Sequence, residues 1–418
     1  MRVLIISYYW PPAGGSGVQR WLKFVKYFRD FGIEPVVFCP ENPNYPIKDH
    51  ALEGEIPEGI EILKLPIREL GKPSIKQAGF LSKKKSLKTQ ILTYIRANFV
   101  IPDTRFLWIK PATNYLNKYL KSAPVDFVIS TGPPHSMHLI ALKLKKDLGV
   151  PWLADFRDPW TDIDFFHHLP FNKWAWNKHL KLEQEVLTHA DIVTVVSEQM
   201  RLKYSKYNKH TALLYNGFDG TLADGKEKLD DKFSLVHVGL INADRCPYNL
   251  LEVLGELKDE LQGFQDDLEL TLVGKTDSEL IETAIENGLE SNLNLIDYLP
   301  HDEIFVYQER AQLLLLLLND VPSAKGIITG KVFEYFRAQR PILAIGPKGG
   351  NLDDLLQETQ SGQLFDFSNK VDLKSYLRLS YKAFKENGLH VNSKNITSFH
   401  RKALTKQLAE LIKNYGQK

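Results

Sequence analysis

The chain has 418 residues, more than a single core holds, so two domains are expected. Its 43% apolar and 25% charged residues are those of a soluble globular protein, and a formal net charge of +2 excludes a chain-wide polyanion binder. Two cysteines, Cys39 and Cys246, lack CxxC or Cys/His neighbours and read as buried thiols in a reducing compartment. In the first half, near-continuous apolar runs mark strands at Val3–Ser7, Pro35–Cys39, Ile60–Leu65, Phe127–Thr131, Trp152–Asp155 and Ile192–Val196. Between them, helical spacing covers Val18–Phe31, Ser136–Leu148, Lys173–His189 and Glu198–Lys206. The βαβ order implies a parallel sheet covered on both faces.

At Asn216-Gly217 the pattern stops, and the polar stretch Gly220 to Lys232 reads as a linker. Alternation restarts with strands at Ser234–Val238, Glu269–Val273, Leu293–Asp297, Leu313–Leu318, Pro341–Ile345 and Gln363–Phe365. Helices are expected at Tyr248–Leu261, Asp277–Asn287, His301–Arg310, Lys331–Ala338 and Leu352–Glu358, with an amphipathic tail from Asn395 to Tyr415. The expected division is a Rossmann-like domain over 1–215, a linker over 216–232 and a second Rossmann-like domain over 233–394. A C-terminal helix over 395–418 is expected to cross back to the first domain. The longest leucine run is Leu313 to Leu318, too short for a transmembrane helix, and the N-terminus has no signal-peptide pattern, so a cytoplasmic location is expected.

In doubly wound sheets, ligands sit beyond the carboxyl ends of the strands, and the motifs fall there. "YYWPPAGGSGVQR" follows the first strand. Its glycines allow close backbone approach, and the next helix offers free N–H groups to an anion. The spacing is neither GxGxxG nor a P-loop, which disfavours a dinucleotide enzyme. "TGPPHS" sets His135 at a helix start, either as a cap or as a functional group. "ADFRDPW" gathers Asp155, Arg157 and Asp158 at a strand end, where they are expected to face a crevice or to form a structural Asp–Arg pair. No third ligand accompanies Asp155 and Asp158, so no metal is expected. "HVGLINADRCP" places Arg245 where it would open a helix and hold a diphosphate. "TGKVFEYFRAQRPILA" opens a helix at Gly330-Lys331, with Glu334 one turn in. Lys331 suits a phosphate and Glu334 the hydroxyls of a ribose.

These motifs, in this order, resemble glycosyltransferase family 4, the retaining sugar-nucleotide transferases of the GT-B fold. The resemblance is strongest to the branch that builds bacterial surface polysaccharides and lipid-linked glycans, through "RDPW" (Arg157–Trp160) and the "IPD-x-R" stretch (Ile101–Arg105). It implies two tandem Rossmann-like domains with an interdomain cleft, and a hexosyl or related transfer from a UDP- or GDP-linked sugar without a metal. Gly14 and Gly15 would face the donor, Arg245 and Lys331 its diphosphate, and Glu334 its ribose. Asp158, Arg157 and His135 are the catalytic candidates. The sequence departs from the family at Gly326, where the first of two paired glutamates would stand. The backbone N–H groups of Gly326 to Ile328 are the expected substitutes. Leu240 likewise replaces a common arginine.

The segment from Arg68 to Arg96 carries eight Lys/Arg and one acid, Glu69. Leu87, Ile91, Ile95 and Phe99 follow at near-helical spacing. A basic amphipathic helical insertion over 68–122, contacting an anionic membrane through residues 72–99, is the expectation; an ordinary packed helix is its alternative. Expected partners are the nucleotide sugar and a glycan or lipid-linked acceptor, with no nucleic acid. Two other readings stay open: a nucleotide-sugar epimerase of the same shape, and a non-catalytic partner subunit.

Overall fold

The computed structural model describes residues 1–69, 87–163, 166, 169–297, 299, 301–386 and 388–416. The chain divides into two compact units, Met1–Asn216 with Arg401–Lys418, and Gly217–His400.

The first unit holds a parallel sheet in the order β3-β2-β1-β4-β5-β6-β7. Its strands are β1 (Arg2–Ile6), β2 (Glu34–Pro40), β3 (Glu61–Leu65), β4 (Phe127–Gly132), β5 (Trp152–Phe156), β6 (Ile192–Val195) and β7 (Thr211–Leu213). Val3, Leu4, Ile5 and Ile6 of β1 are all fully buried, and so are Phe127 to Ile129 of β4. That is why these strands read as unbroken apolar runs: both sheet faces are covered. The order reverses between β1 and β4, so the loops after these two strands flank the switch point where such sheets bind ligands.

The second unit repeats the plan in the order β10-β9-β8-β11-β12-β13. Its strands are β8 (Phe233–Val238), β9 (Leu268–Val273), β10 (Leu293–Ile296), β11 (Leu313–Leu317), β12 (Ile342–Ile345) and β13 (Gly362–Phe365). Its core gathers the inward residues of β8, β9 and β11 with Leu250, Leu254 and Leu257 of the helix Tyr248–Glu260. Here too the reversal falls between β8 and β11.

Three expectations need adjustment. Residues 217–232, read as a linker, pack as part of the second unit: Phe218 N–H donates to Phe399 O, Ala223 N–H to Arg337 O and Asp230 N–H to Arg310 O. Their polarity reflects a surface position rather than freedom. The C-terminal helix begins at Arg401 rather than Asn395, because Ile396–Phe399 forms a 3-10 turn and His400 is extended. Phe399 packs on Phe333 and Phe336 in the second unit, whereas Leu404, Leu408 and Ile412 of the helix join the first unit's core. Finally, a helix at Lys370–Glu386 goes unmarked in the sequence reading, although Leu373, Leu377 and Tyr381 recur every fourth residue and are buried.

Candidate functional site

In the first unit the loops after β1, β4 and β5 meet. The glycine loop is pinned. Gly14 N–H donates to Ile47 O at 2.9 Å, and a Cβ on Gly14 would lie 2.8 Å from Ile47 Cγ2. Gly14 therefore packs against the segment after β2. Gly15 differs: its φ of +84° favours glycine, nothing lies within 4 Å of a Cβ there, and no side chain caps the helix Ser16–Phe28 that it precedes. Of the two expected donor-facing glycines, Gly15 is the one on an open side. The uncapped helix start behind it leaves N–H groups for an anion.

Arg157 ties this loop to the next. Its Nη1 donates to Gly17 O at 3.0 Å, its Nη2 to Pro133 O, and its guanidinium stands 5.6 Å from the Tyr9 ring centroid. A Cβ on Gly17 would press on both Tyr9 and Arg157. As placed, Arg157 positions two loops. Asp158, the neighbouring candidate, is exposed just beyond β5.

His135 is buried and stacked on Trp160, with centroids 4.4 Å apart and planes at 2°. Burial, with His138, His179 and Arg157 adding repulsion, holds it well below the usual imidazole range, so it is neutral at pH 7. Among the described residues, its Nδ1 has no hydrogen-bond partner. Asp103 of the "IPDTR" stretch caps the helix that follows, accepting from Ser136 N–H and Ser136 Oγ at 2.8 Å each. Asp103 thus orients the His135 turn, a role that capping-residue chemistry alone suggests once the contact across 33 positions is known.

Asp155 is not in the crevice. It is fully buried and accepts from Arg20 Nη2 (2.7 Å) and Nε (3.1 Å), Trp21 Nε1 (2.8 Å), Thr194 Oγ1 (2.8 Å) and Thr131 Oγ1 (3.0 Å). Arg20 in turn donates to Leu214 O, Tyr215 O and the Asn216 side chain. The expectation that the charges of "ADFRD" share one outlook fails because Asp155 lies inside β5 and is fully buried, whereas Arg157 and Asp158 lie beyond the end of the strand. The Asp–Arg pair expected within this cluster does not form with Arg157; Asp155 pairs instead with Arg20, 135 positions away.

The second unit gathers its candidates at the ends of β8 and β11. At the start of the helix Lys331–Ala338, Lys331 N–H donates to Thr329 Oγ1 at 3.4 Å, Val332 N–H to Thr329 O and Phe333 N–H to Gly330 O, so the cationic side chains rather than free N–H groups face outward. Lys331 Nζ lies 3.2 Å from His237 Nε2, and a Cβ on Gly239 (φ +110°) would meet that amine at 2.6 Å. Only glycine leaves room for it. Arg245 sits in a 3-10 turn, Ala243–Arg245, rather than at the start of the following helix, which begins at Tyr248. Its Nε donates to Asn319 Oδ1 at 2.6 Å and its Nη1 to Leu240 O at 3.2 Å, which fixes the fork beside β11. Burial lowers the basicity of both cations, Lys331 to about 7, with Arg245 repelling it and Glu334 opposing that effect. Glu334 accepts from Gln308 Nε2 at 3.3 Å. Of the proposed backbone substitutes near Gly326, the Ile327 N–H is already given to Ala324 O, and Gly326 O accepts from Asn351 Nδ2. His237 and Arg20 lie inside the motifs "HVGLINADRCP" and "YYWPPAGGSGVQR" but are given no role by sequence, since a histidine inside a strand and an arginine inside a helix carry no local signal. Among the described residues, no three His, Cys, Asp or Glu side chains gather as a metal site.

Residues 15–221 match the family described as Glycosyltransferase Family 4. Solved structures share the architecture at low identity. The lipopolysaccharide outer core galactosyltransferase WaaB, in its apo form, is 14% identical with a TM-score of 0.61, covering 99% of each chain. A putative UDP-N-acetylglucosamine 2-epimerase from Listeria monocytogenes is 12% identical with a TM-score of 0.54, covering 100% of this chain and 96% of its own. A point mutant of S. aureus TarM, in complex with Fondaparinux, alpha-GlcNAc-glycerol and UDP, is 13% identical with a TM-score of 0.56, covering 98% and 95%. Likeness at these identities bears on the fold. No curated protein sequence matches the chain significantly.

Proposed function

We propose, from the premise that residues 15–221 belong to glycosyltransferase family 4 and that the fold is GT-B, that this chain is a retaining transferase. It moves a hexose or related sugar from a UDP- or GDP-linked donor to a glycan or lipid-linked acceptor in cell-surface polysaccharide synthesis. The observation that carries this reading is the grouping of charged side chains at the ends of β8 and β11. There Arg245 and Lys331 stand beside the start of the helix that carries Glu334. A UDP complex of a protein of the same fold gives the donor class a precedent.

Breaking the bond between the anomeric carbon and phosphate oxygen leaves negative charge on the diphosphate and positive charge on the sugar ring. Arg245 and Lys331 stabilise the first charge from held positions beside it. Asp158 orients the acceptor or answers the ring charge. In same-face attack, the departing phosphate oxygen takes the proton of the acceptor hydroxyl as the new C–O bond forms. No ionised protein base is then needed, which suits a neutral His135. Incubation with a panel of UDP- and GDP-sugars should release nucleoside diphosphate faster when acceptor is present. Interconversion of the sugars without release would mark an epimerase, and neither outcome would mark a non-catalytic subunit.

The helix Leu87–Phe99 exposes Leu87, Ile91, Leu92, Tyr94, Ile95 and Phe99, while Ala97 and Asn98 are buried. The preceding lysines at 72–85 lie outside the described residues. Among the described residues, no helix is long and apolar enough to cross a membrane. This face suits the surface of an anionic bilayer on the cytoplasmic side, where a lipid-linked acceptor would be met. The protein should float with phosphatidylglycerol liposomes at low salt, and Ile91→Asp with Ile95→Asp should abolish flotation. Flotation that is unchanged in the double variant would remove the helix from this role.

A further inference from the structure

Lys331 is held in a way that a simple phosphate-binding lysine does not require. His237 lies within β8 and is fully buried. Its Nδ1 is 2.9 Å from Leu315 O. A carbonyl oxygen can only accept, so Nδ1 carries the proton and, in a neutral ring, Nε2 is an acceptor. Burial and the nearby Lys331 and Arg245 keep that ring neutral, holding its basicity well below the usual range. The amine of Lys331 therefore donates to Nε2 across 3.2 Å and is seated over Gly239, where any Cβ would displace it. Tyr335, on the same helix, donates to the same Leu315 carbonyl at 3.2 Å and braces the seat. The charged and titratable groups acting on the amine are His237, Arg245 and Glu334. One is neutral, one is a cation, and the carboxylate lies a turn away. The free protein thus has a half-buried amine next to a permanent guanidinium, with no anion as direct partner among the described residues.

We propose that Lys331 takes up a proton when the donor diphosphate binds: His237 anchors the amine as a neutral donor, and the arriving anion converts it to an ammonium. This rests on the reading of the group at the ends of β8 and β11 as the diphosphate site. The balance is simple. The amine lone pair accepts one proton from solvent, no covalent bond of the ligand changes, and the new cation pairs with a phosphate oxygen. The same switch would let the site loosen its grip on product as pH rises, because affinity then depends on an available proton.

Isothermal titration calorimetry with UDP and with GDP, in Tris and in HEPES at matched pH, measures the protons exchanged as the dependence of enthalpy on buffer ionisation. With the free amine titrating near 7, uptake should be ~0.5 proton at pH 7 and ~0.9 at pH 8. Affinity should fall roughly tenfold per pH unit above this range. Lys331→Arg carries a permanent charge and should bind with uptake near zero. Lys331→Gln should show no uptake either, with weaker binding. Binding by the wild type without proton uptake at pH 8, or uptake that survives in both variants, overturns the proposal and leaves the donor reading standing. Failure of both nucleotides to bind overturns both.

Discussion

Arg20→Met lowers the stability of the first unit by about 3–5 kcal/mol, because it leaves the Asp155 carboxylate buried without its cation. Arg20 Nη2 and Asp155 Oδ1 are 2.7 Å apart, with side chains 1% and 0% exposed, so water cannot replace the lost partner. The same arginine closes three carbonyl and amide contacts at residues 214–216, which the variant also forfeits. Urea unfolding followed by tryptophan fluorescence should report the change, since Trp21 donates to Asp155 and is buried with Trp152 in the same core. Arg20→Met combined with Asp155→Leu should recover part of the loss, as neighbours in one network are not additive. A single variant within about 1 kcal/mol of wild type would show that the pair is not the centre described here.

The effect has a pH signature. Burial alone would raise the Asp155 carboxyl, but the Arg20 charge and the hydrogen bonds from Arg20, Trp21 and Thr194 override it and hold it below its ordinary 3.8. Because the folded value lies below the unfolded one, the stabilisation is complete above the ordinary aspartate range. It is lost as pH falls from there through the folded value. The gap between wild type and Arg20→Met should therefore narrow in acid.

Arg245→Gln and Lys331→Gln should each cut donor kcat/KM by roughly 10²–10³, the scale of removing one fixed donor from a developing anion. The Arg245 fork is aimed by Asn319 and the Leu240 carbonyl, and Lys331 by His237, so neither has an idle neighbour to take its place. Glu334→Gln should act chiefly on donor KM, by weakening the grip on the ribose. Steady-state kinetics with the donor found in the release assay checks all three. Values within threefold of wild type for both cation variants would place the diphosphate elsewhere.

The alternating architecture was legible because buried parallel strands leave apolar runs that survive in one dimension. The start of the helix at Lys331 was legible for a similar reason: Gly330 and the acidic first turn are local signals. What could not be read are pairings across the fold. Nothing near Asp155 announces Arg20, and nothing near Lys331 announces His237, 94 positions away. Arg157 looked like chemistry by its company in "RDPW". Its partners, the carbonyls of Gly17 and Pro133, are backbone atoms that no side-chain pattern encodes. The polar stretch 217–232 misleads for the opposite reason: its composition resembles a free tether, while its N–H groups at Phe218, Ala223 and Asp230 bond into the second unit.

The helix that closes the chain bears on how this protein can be taken apart. Leu404, Leu408 and Ile412 belong to a core whose other members come from the first 216 residues, so a fragment ending at Asn216 would expose a greasy seam and should aggregate. Phe218 and His400 are bridged, with Phe218 N–H bonded to Phe399 O at 3.0 Å, so the outgoing and returning stretches run side by side. A few glycines splicing 216 to 401 would then excise the middle of the gene and leave a self-sufficient half-molecule.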